Sequence, residues 1–268
     1  MVLNSMRSSS TGFCDGGKNK AVVDDLFERW AWLYAVCRER VFTDHTKLIA
    51  KVMQDRFPTA QNPVFMELGC GPGFYSIRLA RQFPEWRVVG MDKSLGLLKR
   101  AESKVATNLI ANCSFCCGDA TCPSDFPEQA DLLLASRLFL ILPDRFLALC
   151  SMYQALRDGG TLLIAEPLPG WRSRLALIAM RLLRSFGTRN SYPAGDAPST
   201  KPLAAGELSS FVQCLRWAQI QSWSDNRYQY VLCEKPAAEN TNRLDVYTTG
   251  SSRIPTEFSD HDVQRNCA

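Results

Sequence analysis

The chain has 268 residues, 46% of them hydrophobic and 22% charged, with a formal net charge of +4. This usage allows one sizeable core and excludes wholesale disorder, while so small a positive charge, with no long Lys/Arg block, calls for no nucleic-acid partner. Residues 1–20 carry Ser, Gly and Asn where a secretory signal needs an apolar stretch, and nothing offers the ~20 uninterrupted apolar residues of a membrane span, so a cytoplasmic protein is expected.

Residues 1–20 read as a flexible leader. Leu26, Trp30, Leu33, Tyr34, Cys37 and Val41 then recur at helical spacing, with Asp24 and Asp25 placed to favour the helix start. A second helix is predicted over 45–56, and Pro58 and Pro63 punctuate the chain before an apolar run, 64–68, that reads as a buried strand. Helix is predicted over 75–82, strand over 87–91, helix over 95–108 and strand over 113–117. A strand over 131–135, a helix over 145–156 stopped by Asp158-Gly159-Gly160, and a strand over 161–165 continue the alternation.

Strands separated by helices pair in parallel with right-handed crossovers, because a tight hairpin cannot join parallel neighbours. An open, doubly wound α/β sheet is the expected fold, in one domain over 21–236. Residues 167–206 interrupt it as an insertion, with Leu175, Ile178, Leu182, Leu183 and Phe186 on one side of a helix and Arg174, Arg181 and Arg184 on the other. Packing against the domain is the default for that helix. The sharper readings are a lid over an apolar substrate and a peripheral contact of 171–186 with an anionic membrane surface. A helix over 207–215 and strands over 218–223 and 227–234, linked by Ser224-Asp225-Asn226, predict a closing hairpin, and 237–268 reads as a disordered tail.

The eleven cysteines are odd in number and scattered, with no secretory signal, so reduced thiols are expected. Cys113, Cys116, Cys117 and Cys122 are dense enough to suggest a metal site. On a strand over 113–117, however, Cys113 and Cys116 point to opposite faces and cannot grip one ion. No metal is expected.

The informative stretch is Glu67-Leu68-Gly69-Cys70-Gly71-Pro72-Gly73, which follows a buried strand and opens a helix. Glycines at alternate positions allow a tight turn and close backbone approach to a ligand, on which the helix N-terminus directs its unpaired N–H groups. A dinucleotide fingerprint needs two residues between its second and third glycines, and here only Pro72 intervenes. Glu67 suits a cationic amino group and would repel a phosphate. Asp92 ends the second strand, where a carboxylate can read a ribose diol, and Asp119 follows the third, where it can accept from an adenine amine while Ala120 offers its N–H. Three acids thus end three strands around one crevice, where ligands of open α/β sheets bind.

With these residues the chain resembles the class I methyltransferases that use S-adenosylmethionine. Leu156-Arg157-Asp158-Gly159-Gly160-Thr161 is similar to the entry into the fifth strand of the small methyltransferases of ubiquinone and menaquinone biosynthesis. The resemblance implies a seven-stranded, mostly parallel sheet whose last strand is antiparallel, and S-adenosylmethionine as methyl donor. It places the amino acid part of that donor at Glu67, Gly69, Gly71 and Gly73, ribose at Asp92 beside Lys93, and adenine at Asp119 and Ala120. Ser136 and Arg137 would approach the methyl-bearing sulfur, and Tyr34 would cover the cofactor. The acceptor is expected to be a small, apolar molecule. Where many relatives have a polar or His-containing segment, Ser136-Arg137 runs into apolar 138–142, so no general base carries over.

A non-catalytic, cofactor-binding assembly protein is the alternative, and a nicotinamide-dependent oxidoreductase a weaker one. Asp131 is expected as an exposed turn residue. His45 is expected on a helix surface, with a substrate-facing role as the rival reading, and His261 in the tail is expected to be inert. Arg137 either binds an anionic substrate or pairs with an acid at the sheet edge.

Overall fold

The computed structural model describes residues 43–170 and 202–238. The helix expected around Tyr34, the 171–186 helix, the leader and almost all of the tail lie outside the described residues.

Seven strands form one sheet. They are β1 (Val64–Leu68), β2 (Arg87–Asp92), β3 (Cys113–Cys117), β4 (Ala130–Ser136), β5 (Leu156–Pro167), β6 (Gln219–Ser224) and β7 (Tyr228–Glu234), in the spatial order β3-β2-β1-β4-β5-β7-β6. The pairs among β1 to β5 are parallel, and β7 runs antiparallel to both β5 and β6. The expected doubly wound sheet with a terminal antiparallel hairpin is therefore present. All five residues of β1 are buried, as a central strand covered on both faces requires.

Alternation along the strands sorts the core into two layers. Phe65, Val88, Leu132, Leu134, Leu163 and Leu232 face α1 (Thr46–Arg56) and α2 (Phe74–Gln82), with Val105 of α3 (Leu95–Thr107) beside them. Met66, Leu68, Val89, Leu133, Leu162 and Val231 face α4 (Arg145–Ala155) and α5 (Glu207–Val212). Cys113 packs in the first layer and Cys116 against the second, so the two thiols lie on opposite sides of the sheet. Burial pushes the Cys113 thiol up to about 12 and that of Cys116 up to about 11.

Two elements differ from the sequence reading by more than a residue at a boundary. Strand β5 begins at Leu156, where a helix end was expected, because Leu156 pairs with Ala130 before the ladder resumes at Leu132 and Thr161. Residues 157–160 bulge opposite Asp131, with Gly159 at φ 76°. Asp131 is accordingly no exposed turn residue. Its carboxylate accepts from the Val64 N–H at 2.7 Å and from the Arg157 guanidinium at 2.6 Å, holding β1, β4 and the bulge together. Helix α5 stops at Val212 rather than 215, because the next turns tighten to Cys214 N–H to Phe211 O and Leu215 N–H to Val212 O.

Candidate active site

Neighbours of β1 on its two sides are β2 and β4, so the crossovers leave it in opposite directions and open a crevice at its carboxyl end. The glycine loop fills that position. Gly69, Gly71 and Gly73 all have positive φ, at 64°, 55° and 74°, a backbone that L side chains rarely adopt. A Cβ on Gly73 would lie 2.8 Å from the Phe115 ring, and one on Gly69 would lie 3.0 Å from Leu138. The loop therefore rests on β3 on one side and on the segment after β4 on the other.

Glu67 is buried at the carboxyl end of β1, where its Oε2 accepts the Ser76 N–H at 2.8 Å and the Ser76 hydroxyl at 2.6 Å. Gly73, the residue that caps α2, has no side chain to serve the orphan donors of the first turn, and Glu67 does so from the neighbouring strand. The carboxylate thus stands at the positive end of the helix dipole. Asp92 braces the opposite wall, its Oδ2 accepting from the Gly71 N–H at 2.8 Å and its Oδ1 from the Ser94 N–H at 2.9 Å.

Asp119 pairs with Lys93 at 2.5 Å and accepts from the Thr121 N–H at 2.9 Å, so the expected strand-end acid also forms a local Asx-turn. Partial burial pushes its carboxyl up, but Lys93 and the Thr121 N–H hold it below the usual carboxylate value. Ala120 is buried in the core layer beneath. Ser136 ends β4 with its Oγ buried and without a hydrogen-bond partner among the described residues. Tyr34, the expected cover, lies outside the described residues.

Sequence reasoning missed three features. Phe115 lies across the space left by Gly90, where a Cβ would come within 2.5 Å of the ring. An aromatic residue and a glycine in different strands carry no local signal of that contact.

His45 is the second. It is buried, not on a helix surface, and its Nδ1 and Nε2 each lie 3.3 Å from a hydroxyl, of Tyr75 and Tyr230 respectively. Tyr230 donates its own proton to Asp225 at 2.8 Å, which assigns the ring proton to Nε2 and leaves Nδ1 to accept from Tyr75. Burial, helped by nearby Arg137, lowers the His45 pKa to about 4, so the ring is neutral.

The third is Glu166 near the end of β5, fully buried, whose Oε1 accepts from the Phe139 N–H at 2.9 Å. Burial outweighs the backbone donors of 138–140 and Arg137, raising its pKa to about 7. In the unfolded chain Glu166 ionises near 4.5, so its contribution to stability is complete below that pH and is lost as pH rises to about 7. His45 works oppositely: its contribution is complete above its unfolded value of 6.5 and is lost as pH falls to about 4. Glu166→Gln is expected to change the stability difference from the native protein by about 3 kcal/mol between the ends of the Glu166 window, in the variant's favour at the alkaline end. Urea denaturation across that range measures it, and a difference that does not vary with pH would contradict the assignment.

The crevice therefore offers a backbone cradle without space for side chains, an acid at a helix N-terminus, a braced strand-end acid and an orphaned buried hydroxyl. These suit a polar small ligand that carries a cationic group. No helix among the described residues is long and apolar enough to cross a membrane.

Comparison with known proteins agrees with this geometry. Residues 65–160 match the family described as "Methyltransferase domain". The chain is 29% identical over 175 residues to the trans-aconitate 2-methyltransferase of Methylobacterium radiotolerans, a match covering 64% of this chain and 61% of that protein. It is 28% identical to the malonyl-[acyl-carrier protein] O-methyltransferase of Priestia megaterium, over 55% of this chain and 52% of the other. The matches to these curated relatives thus span between half and two thirds of their length. A crystal structure of a putative S-adenosyl-L-methionine-dependent methyltransferase from Methanococcus maripaludis shares the fold, with a TM-score of 0.55 and 18% identity over 87% of this chain and 98% of that one. These relatives are not the quinone-biosynthesis enzymes that the segment 156–161 suggested; what the chain shares with them is the match to methyltransferases.

Proposed function

We propose that the chain is a class I S-adenosylmethionine-dependent methyltransferase that transfers the methyl group of S-adenosylmethionine to a carboxylate of a small acid. The observation that carries this reading is the loop of three left-handed glycines set between the buried Glu67 and the braced Asp92. Glu67 and the glycines hold the amino acid part of the donor, Asp92 with Lys93 the ribose, Asp119 with Ala120 the adenine, and Ser136 lies towards the sulfonium. When bound, the donor supplies an electrophilic methyl group for in-line displacement. The chain's task is then alignment of the acceptor and exclusion of water.

A carboxylate is ionised at neutral pH and needs no general base. That agrees with the apolar run 138–142 after Arg137 and with a His45 that stays neutral among tyrosines. The names of the relatives in Methylobacterium and Priestia also point to acids. An apolar quinol or phenol is the second reading, supported by the Leu-rich segment 175–186 and the likeness of 156–161.

Calorimetric titration with S-adenosylmethionine, S-adenosylhomocysteine and NADH tests the site. Both adenosyl ligands are expected to bind, NADH is not, and Asp92→Ala should weaken adenosyl binding by at least about tenfold, the value of a charge-assisted hydrogen bond. Binding of NADH alone would return the oxidoreductase to the front, and a folded chain that binds none of the three would leave the assembly role.

A further inference from the structure

Arg137 stands where β4 leaves the sheet, next to Ser136 and to the Leu138 side chain that meets the glycine loop. It is one of three non-glycine residues with positive φ among the described residues, at 59°, a conformation costing about 1–3 kcal/mol unless the surroundings impose it. Its N–H donates to Ala165 O at 2.9 Å, fixing the turn to β5. The guanidinium lies 6.0 Å over the Tyr75 ring and close enough to the Tyr228 hydroxyl for its charge to act on it. Tyr75 is in the first turn of the helix opened by the glycine loop, and Tyr228 begins the strand that pairs with the end of β5. Four elements thus converge on one cation, on the side of the sheet where the cradle lies.

The cluster is rigid. His45 ties Tyr75 to Tyr230, its ring 4.6 Å edge-on from Tyr228, and Trp223 stacks on Tyr230 at 5.3 Å. Glu166 holds the 138–140 backbone from below. A guanidinium fixed in this way presents a planar fork of donors, which matches a carboxylate in a way that an ammonium does not.

We propose that Arg137 is the acceptor-specificity residue: its guanidinium, positioned by its left-handed backbone and set over the Tyr75 ring beside Tyr228, binds a carboxylate of the methyl acceptor. This rests on the methyltransferase reading and deepens it by selecting acids over neutral acceptors. The carboxylate bound by Arg137 is held, and a second oxygen nucleophile of the same acceptor faces the donor, so di- and tricarboxylates are preferred to monoacids. The bond formed is between that oxygen and the methyl carbon, and the sulfur–carbon bond breaks to leave the neutral thioether.

The experiment measures initial rates with trans-aconitate, a malonyl thioester, a monocarboxylic fatty acid and the amides of all three, alongside S-adenosylhomocysteine affinity by calorimetry. Native protein should methylate trans-aconitate in preference to the malonyl thioester and the fatty acid, each of which has a single carboxylate, and should not methylate the amides. Arg137→Met should lower kcat/KM for acids by about 10- to 100-fold, with the rise in acceptor KM exceeding any loss of cofactor affinity. Arg137→Lys should fall between, and Tyr228→Phe, which removes only the hydroxyl beside the guanidinium, should raise KM by about three- to tenfold and stands in if Arg137→Met does not fold. Unchanged kcat/KM in Arg137→Met, or in Tyr228→Phe where that stands in, would overturn the proposal. So would methylation of amides as readily as of acids, or a native protein that binds the cofactor but accepts no acid. Failure of the native protein to bind either adenosyl ligand would instead overturn the methyltransferase reading on which it rests.

Discussion

Glu67→Ala is expected to cost about 3 kcal/mol of stability and to weaken S-adenosylmethionine binding by about 100-fold. The side chain is 1% exposed, and its removal strips the Ser76 N–H and hydroxyl of their common acceptor inside the core, each worth roughly 1–3 kcal/mol when left unpaired. The binding loss has a different origin. A carboxylate at a helix N-terminus is the negative partner for the donor's ammonium, and a charge-assisted contact of this kind accounts for about two orders of magnitude. Glu67→Gln separates the two effects, because its amide oxygen can still accept from Ser76 while the charge is gone. Calorimetry should give for the Gln variant an affinity loss close to that of the Ala variant, with urea denaturation showing most of the stability restored. Native affinity in Glu67→Gln would mean that Glu67 serves only as the cap of α2.

Gly90→Ala is expected to cost about 3 kcal/mol or more of stability. The new Cβ would stand 2.5 Å from one Phe115 ring atom, 2.6 Å from a second and 2.9 Å from Cys70 Sγ, a distance that real Cβ atoms do not tolerate. Phe115 also lies 2.8 Å from where a Gly73 Cβ would be, so a ring pushed off Gly90 would disturb the loop at the cofactor site. Scanning calorimetry should show Tm falling by roughly 6–12 °C, and binding of S-adenosylmethionine should weaken in parallel. Adding Phe115→Leu should recover part of both losses, since a smaller side chain relieves the overlap. If the double variant were no better than Gly90→Ala alone, contact with Phe115 would not be the cause.

Both residues mark where reading the sequence succeeds and where it stops. Glu67 was legible as a strand-end acid because it sits inside a glycine pattern with a fixed spacing, and the pattern itself dictates a left-handed loop. That the same carboxylate caps α2 was not legible, because Ser76 is one serine among many until the loop turns it back onto the strand. Asp119 and Lys93 were each picked out, but their pairing at 2.5 Å depends on β2 and β3 lying side by side. Asp131 was misread for the same reason: its partners, Val64 and Arg157, come from two other strands.

Local chemistry determined the order of strands and helices, the mostly parallel sheet and the glycine cradle, because each follows from periodicity, breaker residues and backbone sterics acting over a few positions. The tertiary structure alone decided the identity of the groups around Arg137. His45 and Tyr230 are 185 positions apart, and only the antiparallel return of β7 along β5 sets Tyr228 and Tyr230 against the start of α1. In isolation a histidine at a helix start is a surface residue. Burial among three tyrosines makes it a neutral bridge, and burial likewise moves Glu166 to about 7. Desolvation depends on what the rest of the chain brings to a residue, so no window of sequence contains it.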